Sequence, residues 1–387
     1  MTTDEKYAAS KLERQKYIDR ILSSKSQKKV VVAGPGTGKT FLFKQIVAGK
    51  PESLTLSFVN SLVEDLSLEL CGLSEVRTLH SFARGALSSA LKKDIKLFPK
   101  LPYVIREDAR VLIGADVDFD SIFHDRDDKN EHLPFYRQRR VYYDHYGHTD
   151  VIYSAVRYFE SKEKAVPTYP QVVVDEFQDF NLLEVSLINL LAEGSPILLA
   201  GDDDQALYHF KKATPQHLRD CHSEGSAYEA FTLPFCSRCT RPIVVAANNV
   251  IDAAQKNGNL KGRVNKGFHY FDDRGKDEES DRYPHIIYKR VHDKQVPWAI
   301  ETEIRRMAED IRSRFSILVI SPLGRHPGAI VSSLRAKGFE AVEHSRRDKP
   351  EPSLLDGLKI LLDDEGNNLG WRMWRGPLAG MTHSARY

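Results

Sequence analysis

Val30-Val31-Val32-Ala33-Gly34-Pro35-Gly36-Thr37-Gly38-Lys39-Thr40 decides how the rest of the chain is read. Four apolar residues run into a glycine-rich turn that ends on Lys-Thr, and Phe41-Leu42-Phe43-Lys44-Gln45-Ile46-Val47 then follows with helical character. An unbroken apolar run of this length predicts a strand covered on both faces. Glycines at 34, 36 and 38 let the backbone turn tightly, so that successive N–H groups point at one spot. A helix opening near Lys39 adds the positive end of its dipole there. Ala33, Gly34, Pro35, Gly36, Thr37, Gly38, Lys39 and Thr40 are therefore expected to cradle the phosphates of a nucleotide. Ala33 takes the place of the first glycine in the G-x-x-x-x-G-K-[ST] pattern. Lys39 is expected to bridge the β- and γ-phosphates and Thr40 to place its hydroxyl on Mg²⁺. The rival reading is a glycine-rich strand-to-helix turn without a ligand.

The same arrangement recurs well over a hundred residues later. Val172-Val173-Val174 leads into Asp175-Glu176-Phe177-Gln178-Asp179, and Ile197-Leu198-Leu199-Ala200 leads into Gly201-Asp202-Asp203-Asp204. Asp175, at a strand end, is placed to hold Mg²⁺, and Glu176 to orient and deprotonate an attacking water. Three buried strands with helical patterns between them predict a doubly wound α/β sheet with its ligand at the carboxyl ends of the strands. Residues from about 90 to 168, rich in Asp, Arg, Tyr and His, read as a mostly helical insertion. Further on, Ile317–Ile320 and Phe339–Val342 are expected as strands around a helix from Pro327 to Lys337 that stops at Gly338. Asp272–Arg282 is expected as a charged loop, and the residues after Asp363 show no clear periodicity.

The 387 residues suffice for two domains, or for one domain with insertions. A net charge of +2 neither demands nor excludes a nucleic-acid partner, so any basic surface must be local. No apolar run approaches the roughly 20 residues of a membrane span. The polar N-terminus lacks the apolar core of a signal peptide, so cytoplasmic residence and no membrane partner are expected. Of four cysteines, Cys236 and Cys239 form one CxxC without a second ligand pair. They are expected as packed thiols rather than a zinc site.

With these segments in this order, the chain resembles the UvrD/Rep family of superfamily 1 DNA helicases. Ala33–Thr40 is similar to that family's first motif, and Asp175–Asp179 to its DExQD second motif. Gly201-Asp202-Asp203-Asp204-Gln205-Ala206-Leu207-Tyr208-His209-Phe210 resembles the third, which implies that Gln205 senses the γ-phosphate and that Tyr208 and Phe210 face DNA. Leu56–Asn60 and Thr78-Leu79-His80-Ser81-Phe82 resemble two strand-contacting elements, which implicates Phe58, Asn60, Thr78 and His80. Phe58 and Phe82 also read as partial core, and His80 as a hydrogen-bond partner of a neighbouring loop. Arg238, in Ser237-Arg238-Cys239-Thr240-Arg241-Pro242-Ile243, aligns with a fourth-motif arginine that reaches the γ-phosphate. Cys236-Ser237 stands where the family has Asn-Tyr. Gln15 lies near the family's adenine-reading glutamine; an exposed helical glutamine is the rival reading.

The resemblance implies a P-loop nucleotide triphosphatase built of two RecA-like lobes, with ATP and Mg²⁺ between them and single-stranded DNA across their top. The first lobe would comprise residues 1–90 and 169–231, and the insertion residues 91–168. Residues 232–387 would form a second, incomplete lobe, because neither an H-x-x-K-G-x-E segment nor a final arginine motif follows residue 322. The function implied is an ATP-dependent, 3′-to-5′ DNA helicase or translocase in repair or replication. The alternatives are a nucleotide-dependent DNA-binding module completed by a protein partner and the product of a broken reading frame.

Overall fold

The computed structural model describes residues 3–58, 60–162, 165–271, 274–310, 316–321, 327–343 and 351–375. They form two compact units, Met1–Pro284 with Glu351–Tyr387, and His285–Pro350.

The first unit is built on a six-stranded parallel sheet of β1 (Lys28–Ala33), β2 (Ser53–Ser57), β3 (Ser74–Thr78), β4 (Val172–Val174), β5 (Ile197–Gly201) and β6 (Glu229–Leu233). Their spatial order is β3-β2-β4-β5-β1-β6. The valine-rich runs at β1 and β4 are apolar throughout because side chains alternate between two faces, both covered. Val30, Val32, Val172, Val174, Ile197 and Leu199 enter one hydrophobic cluster. Val31, Ala33, Val173, Leu198 and Ala200 enter the other. Each fully buried Val or Leu contributes about 1.5–3 kcal/mol, so the three central strands anchor the unit.

Helices α1 (Thr3–Ser23), α2 (Lys39–Val47) and α3 (Asn60–Glu69) belong to the second cluster's face. The other face carries α4 (Leu79–Leu91), then α5 (Leu101–Leu112), α6 (Phe119–His124), α7 (Leu133–Tyr143) and α8 (His148–Ser161), followed by α9 (Leu182–Gly194). The described residues between β3 and β4 are thus mostly helical. Phe119, Phe123, Tyr136, Val156 and Phe159 bury into the same core as the strands.

After β6, the short helix α10 (Gln216–His222) having preceded it, the chain makes a small parallel β-α-β unit. Its parts are β7 (Phe235–Cys236), α11 (Arg241–Lys256) and β8 (His269–Tyr270). The expected charged loop is instead helical from Arg274 on, as α12 (Arg274–Arg282). Asp277 is used rather than solvated: it pairs with Arg241 at 2.6 Å and accepts the Tyr270 hydroxyl at 2.9 Å. Thiols Cys236 and Cys239 are free, and the Cys239 amide donates to Cys236 Sγ.

The second unit contains α13 (Val296–Asp310) and α14 (Pro327–Ala336), joined by Ile304, Ile330 and Leu334. Gly338, at φ +85, ends α14 as expected. The strands expected at Ile317–Ile320 and Phe339–Val342 do not form. A β-propensity run becomes a strand only where a partner accepts its hydrogen bonds, and Leu318 and Ile320 stay exposed.

Residues 232–387, expected as one lobe, are therefore divided. The terminal helices α15 (Leu354–Asp363) and α16 (Asn368–Trp374) rejoin the first unit against the helical insertion. Arg372 donates to buried Asp108 at 2.9 Å, and Asn368 to the Tyr142 carbonyl at 3.0 Å. Among the described residues, no helix is long and apolar enough to cross a membrane.

Candidate functional site

The central strands end side by side, with Val32 paired to Gly201 and Val174 to Leu199. Their three loaded turns consequently open at one edge of the sheet. At the first, Gly36 and Gly38 adopt φ +68 and +97, a region costly for any residue with a Cβ. A Cβ at Gly36 would also come within 2.3 Å of Arg238 Cβ. Thr37 is buried and donates its hydroxyl to the Gly34 carbonyl at 2.8 Å, closing the loop on itself. The loop residues Pro35–Gly38 and the start of α2 line a cleft of about 740 Å³.

At the second turn Glu176 itself is left-handed, with φ 52 and ψ 43. A non-glycine residue there costs about 1–3 kcal/mol and is kept only where its surroundings enforce it. The bend turns two consecutive carboxylates toward the cradle. Lys39 Nζ lies 3.3 Å from both Glu176 oxygens. Burial raises the Asp175 pKa above the usual carboxylate range, with Lys39 opposing and Glu176 adding to the shift. Asp175 Oδ1 is buried and has no hydrogen-bond partner among the described residues. Burial lowers the affinity of Lys39 for its proton, yet Asp175, Glu176 and Asp202 outweigh it and hold the ammonium charged.

The third turn is tied to the second. Gln178 Oε1 accepts from the Asp202 amide at 2.9 Å, while Gln178 Nε2 donates to Glu176 at 2.9 Å. Gln205 lines the cleft and donates to Asp202 Oδ2 at 2.5 Å. Asp179, its pKa raised to about 6 by burial, accepts from the Leu207 amide. The cleft thus gathers Pro35–Thr40, Asp175, Glu176, Gln205 and Arg238.

Beside it runs an aromatic strip. Phe58 and Tyr208 have ring centroids 4.7 Å apart, and Phe210 follows 5.9 Å from Tyr208, three-quarters exposed. Lys211 Nζ lies 5.1 Å from the Phe58 ring. Half-buried His80 stacks on His148 at 3.6 Å. Burial, together with the charges of His148 and Lys211, holds the His80 pKa well below its ordinary value. His124 and His148 are both lowered to about 4, chiefly by burial.

Several expected residues have other roles or places. Thr78 caps α4, accepting from the Ser81 amide at 3.1 Å, and Phe82 is core. The Asn60 side chain lies outside the described residues. Gln15 does not reach the cleft; it is exposed and donates to Asp19 at 2.8 Å. On α1 the inward residues are Ile18 and Ile21, and it is the neighbouring Arg14 whose guanidinium lies against Gly38. Two residues escaped the sequence reading altogether. Phe268 packs its ring on Gly34, and Lys266 contacts Asp202, Asp203 and Asp204. Neither carries a motif; their only signal is tertiary position.

The site thus sits on a six-stranded parallel sheet, with the glycine-rich cradle and the acidic turn at adjacent strand ends. In sequence, the chain is similar to the UvrD/Rep helicases. Residues 124–224 match the model of the UvrD/REP helicase N-terminal domain. The chain is 25% identical over 159 residues to the ATP-dependent DNA helicase srs2 of Schizosaccharomyces pombe, covering 41% of this chain and 16% of that protein. It is 32% identical over 99 residues to DNA helicase II of Escherichia coli, covering 25% and 13% respectively. It is 30% identical over 99 residues to DNA helicase II of Salmonella typhimurium, again covering 25% and 13%. The chain thus spans at most about a sixth of the length of these relatives.

Proposed function

We propose that this chain binds and hydrolyses ATP with Mg²⁺ and couples hydrolysis to contact with single-stranded DNA, as part of a UvrD/Rep-type helicase or translocase. The observation that carries the reading is the convergence of Lys39, Glu176 and Gln205 from three adjacent turns on one cleft. Thr40 and Asp175 suit Mg²⁺, a hard cation that takes oxygen ligands, and the unpartnered Asp175 Oδ1 is the atom to which this donor set assigns it. When bound, the ion neutralises charge that develops on the phosphate oxygens.

The remaining chemistry belongs to the protein. Cradle amides and Lys39 hold the phosphates. A phosphate that draws Lys39 from Glu176 leaves that carboxylate, still oriented by Gln178, to accept a proton from the attacking water. Gln205 meets the γ-phosphate, and Arg238 reaches it from the β7–α11 segment. We read that β-α-β unit as the beginning of a second, incomplete RecA-like lobe. Phe58, Tyr208 and Phe210 offer faces on which bases of any sequence stack, each stack being worth about 1–3 kcal/mol.

The test is ATP turnover with and without single-stranded DNA. We expect stimulation by DNA, loss of nucleotide binding in Lys39→Ala, and a kcat lowered about 10²–10⁴-fold in Glu176→Gln with binding kept. DNA-independent turnover that survives both substitutions would place the chemistry elsewhere.

A further inference from the structure

Asp202, Asp203 and Asp204 crowd three carboxylates into the turn after β5, with Asp202 and Asp203 fully buried. Like charges so close are costly unless matched. Three cations match them. Arg219 donates to Asp203 at 3.0 Å and Arg263 to Asp204 at 2.8 Å. At the centre is Lys266, itself buried, with Nζ at 2.5, 2.6 and 2.7 Å from Asp202, Asp203 and Asp204. An acidic triad of this kind resembles a metal site, but here a lysine ammonium fills it.

Lys266 is about sixty residues from this turn in sequence. The loop that carries it is pinned to the turn, with the Val264 amide donating to Asp203 at 2.9 Å and Arg219 donating to the Lys261 carbonyl at 3.1 Å. Asp202 then divides its oxygens. Oδ1 takes Lys266, and Oδ2 takes Gln205 Nε2 at 2.5 Å. The Asp202 amide meets Gln178, which holds Glu176, which meets Lys39. One unbroken chain of hydrogen bonds therefore runs from Lys266 to the phosphate-binding lysine. The same stretch of sequence also supplies Phe268, which lies on Gly34.

We propose that Lys266 is a positioning residue for γ-phosphate recognition: it locks Asp202 so that Asp202 aims Gln205 into the cleft. In doing so it ties the loop after α11 to the state of the nucleotide. The inference rests on the ATP site proposed above. Without Lys266 the Asp202 side chain is repelled by its neighbours and Gln205 loses a fixed partner. Lys266 is buried and is not among the residues that line the cleft, so binding of the diphosphate is expected not to depend on it.

The experiment compares fluorescent mant-ATP and mant-ADP binding, with thermal melts as a control, in wild type, Lys266→Met, Gln205→Ala and the double variant. Lys266→Met should lose about tenfold of its preference for ATP over ADP, the size of one charge-assisted hydrogen bond, with mant-ADP affinity unchanged. Its kcat should fall while KM for ATP rises little. The double variant should be no worse than Gln205→Ala alone, because both remove the same contact. An unchanged ATP/ADP ratio in a folded Lys266→Met, or losses that add in the double variant, overturns the proposal. If Lys266→Met melts without a cooperative transition, Asp202→Ala, which leaves Lys266 two carboxylates, must show the same selective loss or the proposal falls. A wild type that binds both nucleotides without turnover still reads out the selectivity. A folded wild type that binds neither removes the ATP site and this inference with it.

Discussion

At the residue scale, burial sets the chemistry of ionisable groups beside the cleft. His148 stacks on His80 and is held at about 4 mainly by desolvation, so the folded state disfavours its proton. A depressed histidine contributes stability that is fully present above its ordinary value of 6.5 and lost as pH falls toward 4. Asp179, raised to about 6, works in the opposite sense over that window, so wild type must be compared with a variant rather than read alone. His148→Phe keeps a ring for His80 to stack on and removes one titration. Between pH 7.5 and pH 5, wild type is expected to lose on the order of 1 kcal/mol more stability than His148→Phe in urea denaturation. Parallel pH profiles for the two proteins would refute the assignment.

At the scale of elements, the acidic turn works because the segment behind it is rigid. The turn Phe177–Asp179 is succeeded at once by α9, whose start is fixed by a reciprocal cap. Asn181 Oδ1 accepts from the Glu184 amide at 3.1 Å, and Glu184 accepts from the Asn181 amide at 2.9 Å. Asn181→Ala removes one half of that box and should cost about 1 kcal/mol in denaturant unfolding, within the range for lost caps. A change below ~0.3 kcal/mol would mean that packing of Leu183, Leu187 and Leu191 alone holds the helix start. The strand elements show the converse. Val172–Val174 is a strand because neighbours pair with it on both sides, whereas Ile317–Ile320, equally apolar, has no ladder.

At the scale of the whole molecule, the cleft is completed by a segment about two hundred residues from the cradle. Ser237 donates its amide to the Gly36 carbonyl at 2.9 Å, bringing Arg238 over the glycine-rich loop. An arginine facing the transferred phosphoryl group is worth about 10³–10⁵ in rate. Arg238→Ala is therefore expected to keep mant-ATP binding while single-turnover hydrolysis falls at least ~10³-fold. A loss of only a few-fold would show that another cation serves the γ-phosphate. The helical insertion and the returning helices α15 and α16 share the first unit with this cleft, bound through buried Asp108 and its partners Arg139 and Arg372.

The sequence alone determined the glycine-rich loop, the acidic turn and the strands that present them. Such turns need particular glycines and carboxylates at fixed spacing, and buried parallel strands need unbroken apolar runs. It also marked Gln205 and Arg238, through motif order rather than through any local property. Only the tertiary structure decided that Arg14 and not Gln15 approaches the cradle, since a step of one residue on a helix turns a side chain by about 100°. The helical state of Arg274–Arg282 likewise depended on ion pairs with α11. Lys266 was invisible for the same reason: a lone lysine in a loop acquires meaning only when folding places it among three aspartates.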